Sequence, residues 1–198
     1  MYDPMPEQIL EKLFESPAKI KILKLFLRNS TESFSFATIQ QRLKLDQQSC
    51  KTQLANLTSI KLLTIRVKQK EKQYSLNHKF EFLDELQNLV LKSSPASKNK
   101  ILNSIKKLGK IHLLLLAGVF INSNSRGRYD ILVVGDNVNE KRLKEIVRNI
   151  EAEAGTQIRY SLMDLGEFKY RRDMFDKFIR EVLDGPYEKL VDKIGLAK

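Results

Sequence analysis

The stretch Ile111–Asp136 reads IHLLLLAGVFINSNSRGRYDILVVGD. Its first part, Ile111–Ile121, is an apolar run broken by His112 and Gly118, which predicts a buried strand. Gly118-Val119 reads as a turn, and Ser123, Ser125 and Gly127 make the following loop polar. A second strand, Tyr129–Val134, is rich in leucine and β-branched residues, and Gly135-Asp136 ends it. The run Arg128-Tyr129-Asp130 sets a cation two residues before a carboxylate. The longest apolar run is Ile111–Ile121, well short of the roughly 20 residues a bilayer span needs.

Working outward, Val138–Ala154 carries Leu143, Ile146, Val147 and Ile150 at helical spacing and is stopped by Gly155. Gln157–Met163 alternates Ile158, Tyr160 and Leu162 as a half-buried strand. Leu165–Leu183 predicts one long helix with Phe168, Met174, Phe175, Phe178, Ile179 and Val182 on its apolar side. Upstream, Ser97 is placed to cap a helix over Lys98–Leu108, which Gly109 ends. Strands alternating with helices in this way imply a small layered α/β domain over residues 98–198.

The segment LLLLAGVFINSNSRGRYDILVVGD, its spacing to the next helix, and the ending EFKYRRDMFDKFIREVLDGPYEKL resemble prokaryotic proteins in which a minimal nucleotidyltransferase domain follows a winged helix. The resemblance implies a Gly-Ser or Gly-Gly turn for nucleotide phosphates, an Asp-x-Asp pair for magnesium, and a third carboxylate on the next strand. Matched onto it, the turn is Gly118-Val119, the first metal carboxylate falls at Arg128, and the second at Asp130. The third falls around Ile158-Arg159-Tyr160, where there is no acid. Magnesium wants several oxygen ligands, and a guanidinium offers none and repels the ion. The expectation is therefore a nucleotidyltransferase-like domain without catalytic residues, metal or cofactor. Asp130 is expected to pair with Arg128, Arg126 or Arg159. The same arginines suit an anionic or nucleotide ligand, since guanidinium forks fit phosphate oxygens, although ordinary loop charges would read the same way.

The first half has a different pattern. Ser16-Pro17 opens a helix whose Ile20, Ile22, Leu23, Leu25, Phe26 and Leu27 make a wide apolar stripe. Ser35 starts a second helix with Phe36, Ile39 and Leu43 at helical spacing, and Lys44-Leu45 turn the chain. Asp46 caps a third helix that turns Cys50, Leu54 and Leu57 inward. Its other face carries Gln47, Gln48, Ser49, Lys51, Thr52 and Asn56, side chains able to hydrogen-bond base edges or phosphates. Leu63–Lys68 and Lys72–Leu76 alternate around the polar tip Gln69-Lys70-Glu71 and predict a hairpin bearing Arg66, Lys68, Lys70 and Lys72. Residues 35–77, in particular LDQQSCKTQLANLTSIKLLTI and QYSLN, resemble the winged helix-turn-helix domains of ArsR- and MarR-like prokaryotic regulators. Lys61 stands where that pattern usually has glycine. The resemblance implies duplex DNA as partner, with the third helix as recognition helix and the hairpin as wing.

Charge distribution bears on this. Ser16–Lys79 holds thirteen Lys/Arg against three Asp/Glu, so it carries +10 of the net +11. A docking module for another protein has less need of such a field. One cysteine, Cys50, excludes an intrachain disulfide, and His78 and His112 have no ligand partner at useful spacing, which argues against a metal sensor. With no basic, apolar leader at the N-terminus, these features fit a cytoplasmic protein that does not enter membranes. Phe80–Lys92 is amphipathic, suited equally to covering the local core or to pairing with its twin in a homodimer, and Ser93–Ser97 reads as a linker. The expected organisation is α+β: a winged helix-turn-helix domain over 1–79, a connecting helix and linker over 80–97, and a nucleotidyltransferase-like domain over 98–198. The function this implies is DNA-binding transcriptional regulation with a silent sensing or assembly domain. The alternative is a nucleotidyltransferase acting on a protein or RNA acceptor.

Overall fold

The structure is a computed structural model that describes residues 6–92, 96–121 and 129–196. It is a mixed α+β protein with two small sheets. The chain divides into two compact units, Met1–Pro95 with Glu151–Gln157, and Ala96–Ile150 with Ile158–Lys198. The residues read as a connector thus belong mostly to the first unit. Ser93, Ser94 and Pro95 of the expected linker lie outside the described residues.

In the first unit the elements run α1 (Pro6–Phe14), α2 (Pro17–Arg28), β1 (Ser33–Ser35), α3 (Phe36–Leu43), α4 (Gln47–Ser59), β2 (Leu63–Lys68), β3 (Glu71–Leu76) and α5 (Leu83–Lys92). The expected caps are in place. Ser16, Ser35 and Asp46 each accept a hydrogen bond from the main-chain N–H three residues on, satisfying donors the first helical turn leaves open. The stripe of α2 is buried and packs with Ile39, Leu43, Cys50, Leu54 and Leu57 into one core. β1, β3 and β2 form an antiparallel sheet in that order, with β3 in the centre. Val90 is fully buried and Phe80, Leu83, Leu86 and Leu91 pack on the same core, so α5 covers it locally. Two elements, α1 and the three-residue β1, have no counterpart in the sequence reading.

The second unit runs α6 (Lys98–Lys106), β4 (Lys110–Leu116), a 3-10 turn (Gly118–Phe120), β5 (Ile131–Asp136), α7 (Glu140–Ala154), β6 (Tyr160–Met163), α8 (Leu165–Asp173), α9 (Lys177–Asp184) and β7 (Glu188–Asp192). Its sheet has the order β6-β5-β4-β7, with β5 and β6 parallel and the other pairs antiparallel. β4 and β5 are central and buried on both faces, which is why they read as continuous apolar runs instead of alternating.

Three expectations are corrected. The strand from Ile111 ends at Leu116, because Gly118 turns the chain at φ +49 into the 3-10 turn. The strand expected from Gln157 begins at Tyr160. The single helix Leu165–Leu183 is two helices broken at Met174–Asp176. There Phe175 takes φ +54, and Asp176 caps α9 by accepting from the Ile179 N–H at 3.1 Å. Met174 and Phe175, expected on a buried face, are 65% and 76% exposed at this corner. The edge strand β7 is an addition; Pro186 and a short, half-buried pattern hid it.

Candidate nucleic-acid interface

Two left-handed turns set the outer face of α4. Lys44, at φ +50, ends α3, and the Leu45 N–H returns to the Gln40 carbonyl at 3.2 Å. Lys61, at φ +63, ends α4, and the Leu62 N–H returns to the Leu57 carbonyl at 3.0 Å. These are the six-to-one bonds that close a helix on a residue usually glycine. Lys61 thus takes the left-handed conformation without being glycine, and the Asn77 side-chain amide donates to its carbonyl at 2.7 Å.

Between these turns α4 buries Cys50, Leu54 and Leu57 and exposes Gln47, Gln48, Lys51, Thr52 and Asn56. Ser49 is only half-buried at the side of this row, and its main-chain N–H is taken by the Asp46 carboxylate at 2.8 Å. That bond holds the Asp46 carboxyl below its usual range. Ala55 and Ser59 complete the exposed row and were not singled out in the sequence, although the i, i+4 step from Lys51 reaches both. Cys50 is fully buried, and burial pushes its thiol up to about 11, so it is a small core residue and not a nucleophile at neutral pH.

The hairpin forms with a shorter tip than expected, since Glu71 already belongs to β3 and pairs with Lys68, and its register divides the cations. Leu63, Ile65 and Val67 pair with Leu76, Tyr74 and Lys72, whereas Thr64, Arg66 and Lys68 pair with Ser75, Gln73 and Glu71. Residues paired across an antiparallel ladder share a face, so Arg66 and Lys68 lie on one face and Lys72 on the other. Lys70 sits in the two-residue turn, where Gln69 and Lys70 take φ +51 and +66. All four cations are exposed.

On the Lys72 side the hairpin borders a groove of about 460 Å³, lined by Ser35, Phe36, Ala37, Gln47, Lys51, Glu71, Lys72 and Tyr74. Phe36 and Tyr74 are half-buried, and burial raises the Tyr74 phenol above its usual range. Sequence reasoning treated Phe36 as a core position of the helix and Tyr74 as a strand residue. The signal available was the shared face of Lys72 and Tyr74, two apart on one strand.

In the second unit, the glycine turn and Asp130 are brought together, and Arg128, Arg126 and the loop between the strands lie outside the described residues. Asp130 is 1% exposed. Its carboxylate accepts from the Val119 N–H at 3.3 Å, the Arg159 N–H at 2.9 Å, and Arg159 Nε and Nη2 at 3.1 and 3.3 Å. A Cβ on Gly118 would stand 2.1 Å from Asp130 Oδ1, so the glycine is there to let the carboxylate fold beneath the turn. Arg159 directly precedes β6, where the nucleotidyltransferase resemblance placed a third acid, and it holds Asp130 instead. A second polar cluster joins the far ends of the same strands. His112 Nε2 lies 2.8 Å from Asp136 Oδ2, and the Leu165 N–H donates to Asp136 Oδ1 at 3.4 Å. Chiefly through the His112 bond, the Asp136 carboxyl is held below its usual range.

The chain matches no protein-family model, no curated protein and no solved structure. No helix among the described residues is long and apolar enough to cross a membrane.

Proposed function

We propose that this protein is a DNA-binding transcriptional regulator whose first unit works as a winged helix-turn-helix domain. The observation that carries the reading is the exposed polar row of α4, Gln47, Gln48, Lys51, Thr52 and Asn56, beside a hairpin bearing Arg66, Lys68, Lys70 and Lys72. Polar side chains on a protruding helix can read base edges, and flanking cations supply the phosphate attraction that dominates affinity. On this reading the recognition helix enters the major groove and the hairpin follows the backbone. The protein acts in the cytoplasm. It acts as a homodimer, with the exposed apolar residues Phe82, in the turn before α5, and Leu89, on α5, at the contact. Selection from random duplexes, followed by the same selection with Gln48→Ala and Thr52→Ala, is the test. The wild type should enrich a defined sequence and the variants should lose discrimination at single positions. Equal affinity for all duplexes would falsify sequence-specific binding.

The second unit serves sensing or assembly and transfers no nucleotide. Supporting this, Asp130 already accepts four hydrogen bonds among the described residues and is shielded from solvent, so its lone pairs are committed within the fold. The alternative, transfer of a nucleotide to a protein or RNA acceptor, is tested with labelled nucleoside triphosphates and magnesium or manganese. Metal-dependent labelling that disappears in Asp130→Ala would reinstate it.

A further inference from the structure

We infer that the groove bounded by Phe36, Gln47, Lys51, Lys72 and Tyr74 takes one unpaired nucleotide of a DNA strand, its base on the aromatic rings and its phosphates on the lysines. This rests on the DNA-binding reading and specifies what the domain prefers: a duplex with an unpaired base beside the contacted site, in place of a fully paired one.

The size of the groove, about 460 Å³, lies within the roughly 300–1,000 Å³ in which small ligands are held. Its chemistry narrows the occupant. Two half-buried aromatic residues line it together with two lysines, and a cationic groove carrying aromatic faces is the arrangement that holds unpaired nucleotides. A phosphate alone would meet the lysines and leave the ring surfaces on the lining uncovered. Glu71 also borders the groove but pairs with Lys68 and shares its face, so its carboxylate is not among the groups that meet the base. The Ser35 hydroxyl is occupied, accepting from the Thr38 N–H at 3.3 Å and lying 3.0 Å from Thr38 Oγ1. Gln47, like the Tyr74 hydroxyl, is an uncharged group on the lining that can add donor and acceptor atoms to the base edge. A base stacked inside a duplex cannot enter such a groove; it must already be unpaired or be turned out of the helix.

The divided hairpin agrees with this. Lys72 faces the groove side, and Arg66 and Lys68 face the other way, so one face of the hairpin is left for the continuing paired backbone.

The test uses the full chain and three DNAs of one sequence: fully paired, with one bulged 2-aminopurine, and with a short overhang starting in 2-aminopurine. Affinity for the bulged or overhung DNA should exceed that for the paired duplex about tenfold, within the range expected for one base on an aromatic side chain. The 2-aminopurine emission should fall on binding as the base stacks. Tyr74→Leu and Phe36→Leu keep an apolar side chain of reduced volume and should remove the preference while retaining affinity for the paired duplex; Tyr74→Phe should keep it. Equal affinity for all three DNAs, or a preference that survives both leucine variants, overturns the proposal. Both rings also touch the core, so a leucine variant that fails to fold leaves the wild-type emission to decide, and unchanged emission on binding overturns the proposal. Binding of paired duplex without these effects defeats this inference alone. Failure to bind any DNA defeats the DNA-binding reading as well.

Discussion

Arg159 holds Asp130 through both its main chain and its side chain, with the N–H 2.9 Å from Oδ2 and Nε and Nη2 3.1 and 3.3 Å from Oδ2 and Oδ1. The carboxylate is buried and the guanidinium side chain is half exposed, so the two partners are not equally costly to lose. Asp130→Asn keeps the shape and removes the charge, leaving main-chain donors under-satisfied. It should destabilise the second unit by about 2–3 kcal/mol, read as a lower urea midpoint. Arg159→Lys keeps a cation without the planar fork and should cost about 1 kcal/mol. A midpoint unchanged in Asp130→Asn would show that the cluster does not hold the turn to the strand.

The Gln69-Lys70 turn takes left-handed φ at both central residues without glycine or asparagine at either. Such turns match the twist of a hairpin, and Asn-Gly suits them best. Lys70→Gly should stabilise the hairpin by about 1 kcal/mol by removing the side-chain clash of that conformation. Lys70→Asn tolerates the backbone and removes the charge. It should leave thermal stability unchanged or raised, yet weaken binding to every duplex and reduce the salt slope by about one. A salt slope equal to that of the wild type would remove Lys70 from the phosphate contacts.

Phe175 closes α8 in the left-handed conformation, with the Asp176 N–H returning to the Arg171 carbonyl at 2.9 Å. That site favours glycine, and the phenyl ring is mostly in solvent. Phe175→Gly should raise stability by about 1 kcal/mol with no loss of packing. A fall in the unfolding midpoint would mean that the ring contributes to the native state after all.

Asp136, held below its ordinary carboxyl range by His112, gives an acid-sensitive element. A depressed folded value means that its contribution is complete above the unfolded value of about 3.9 and is lost as pH falls through the lower folded value. Stability against urea should therefore decline below about pH 4, and Asp136→Asn should flatten that part of the curve. The same acid limb in wild type and variant would assign the loss to other carboxylates.

The elements that were legible in the sequence are those whose signals are local. Ser16, Ser35 and Asp46 announced three helix starts, and the alternation on either side of Gln69-Lys70 gave the hairpin to within a residue. The Asp130–Arg159 pair was among the options that charge alone allowed, and only the parallel β5–β6 pairing selects it. The α8–α9 break was hidden because Met174 and Phe175 continue the apolar period, and hydrophobicity does not distinguish a buried ring from one left in solvent at a corner. The groove was missed because its lining comes from α3, α4 and the hairpin, which no spacing along the chain relates.

β2 lies at the border of its sheet, with β3 on one side and no strand among the described residues on the other, and it exposes Ile65 and Val67. A bare apolar border strand invites pairing with the same strand of another molecule, and lysine and arginine are the residues proteins commonly use to prevent it. Arg66 and Lys68 therefore have a protective effect that is independent of DNA. A variant stripped of both is expected to self-associate as concentration rises, and its loss of affinity is meaningful only when measured in dilute, monodisperse protein.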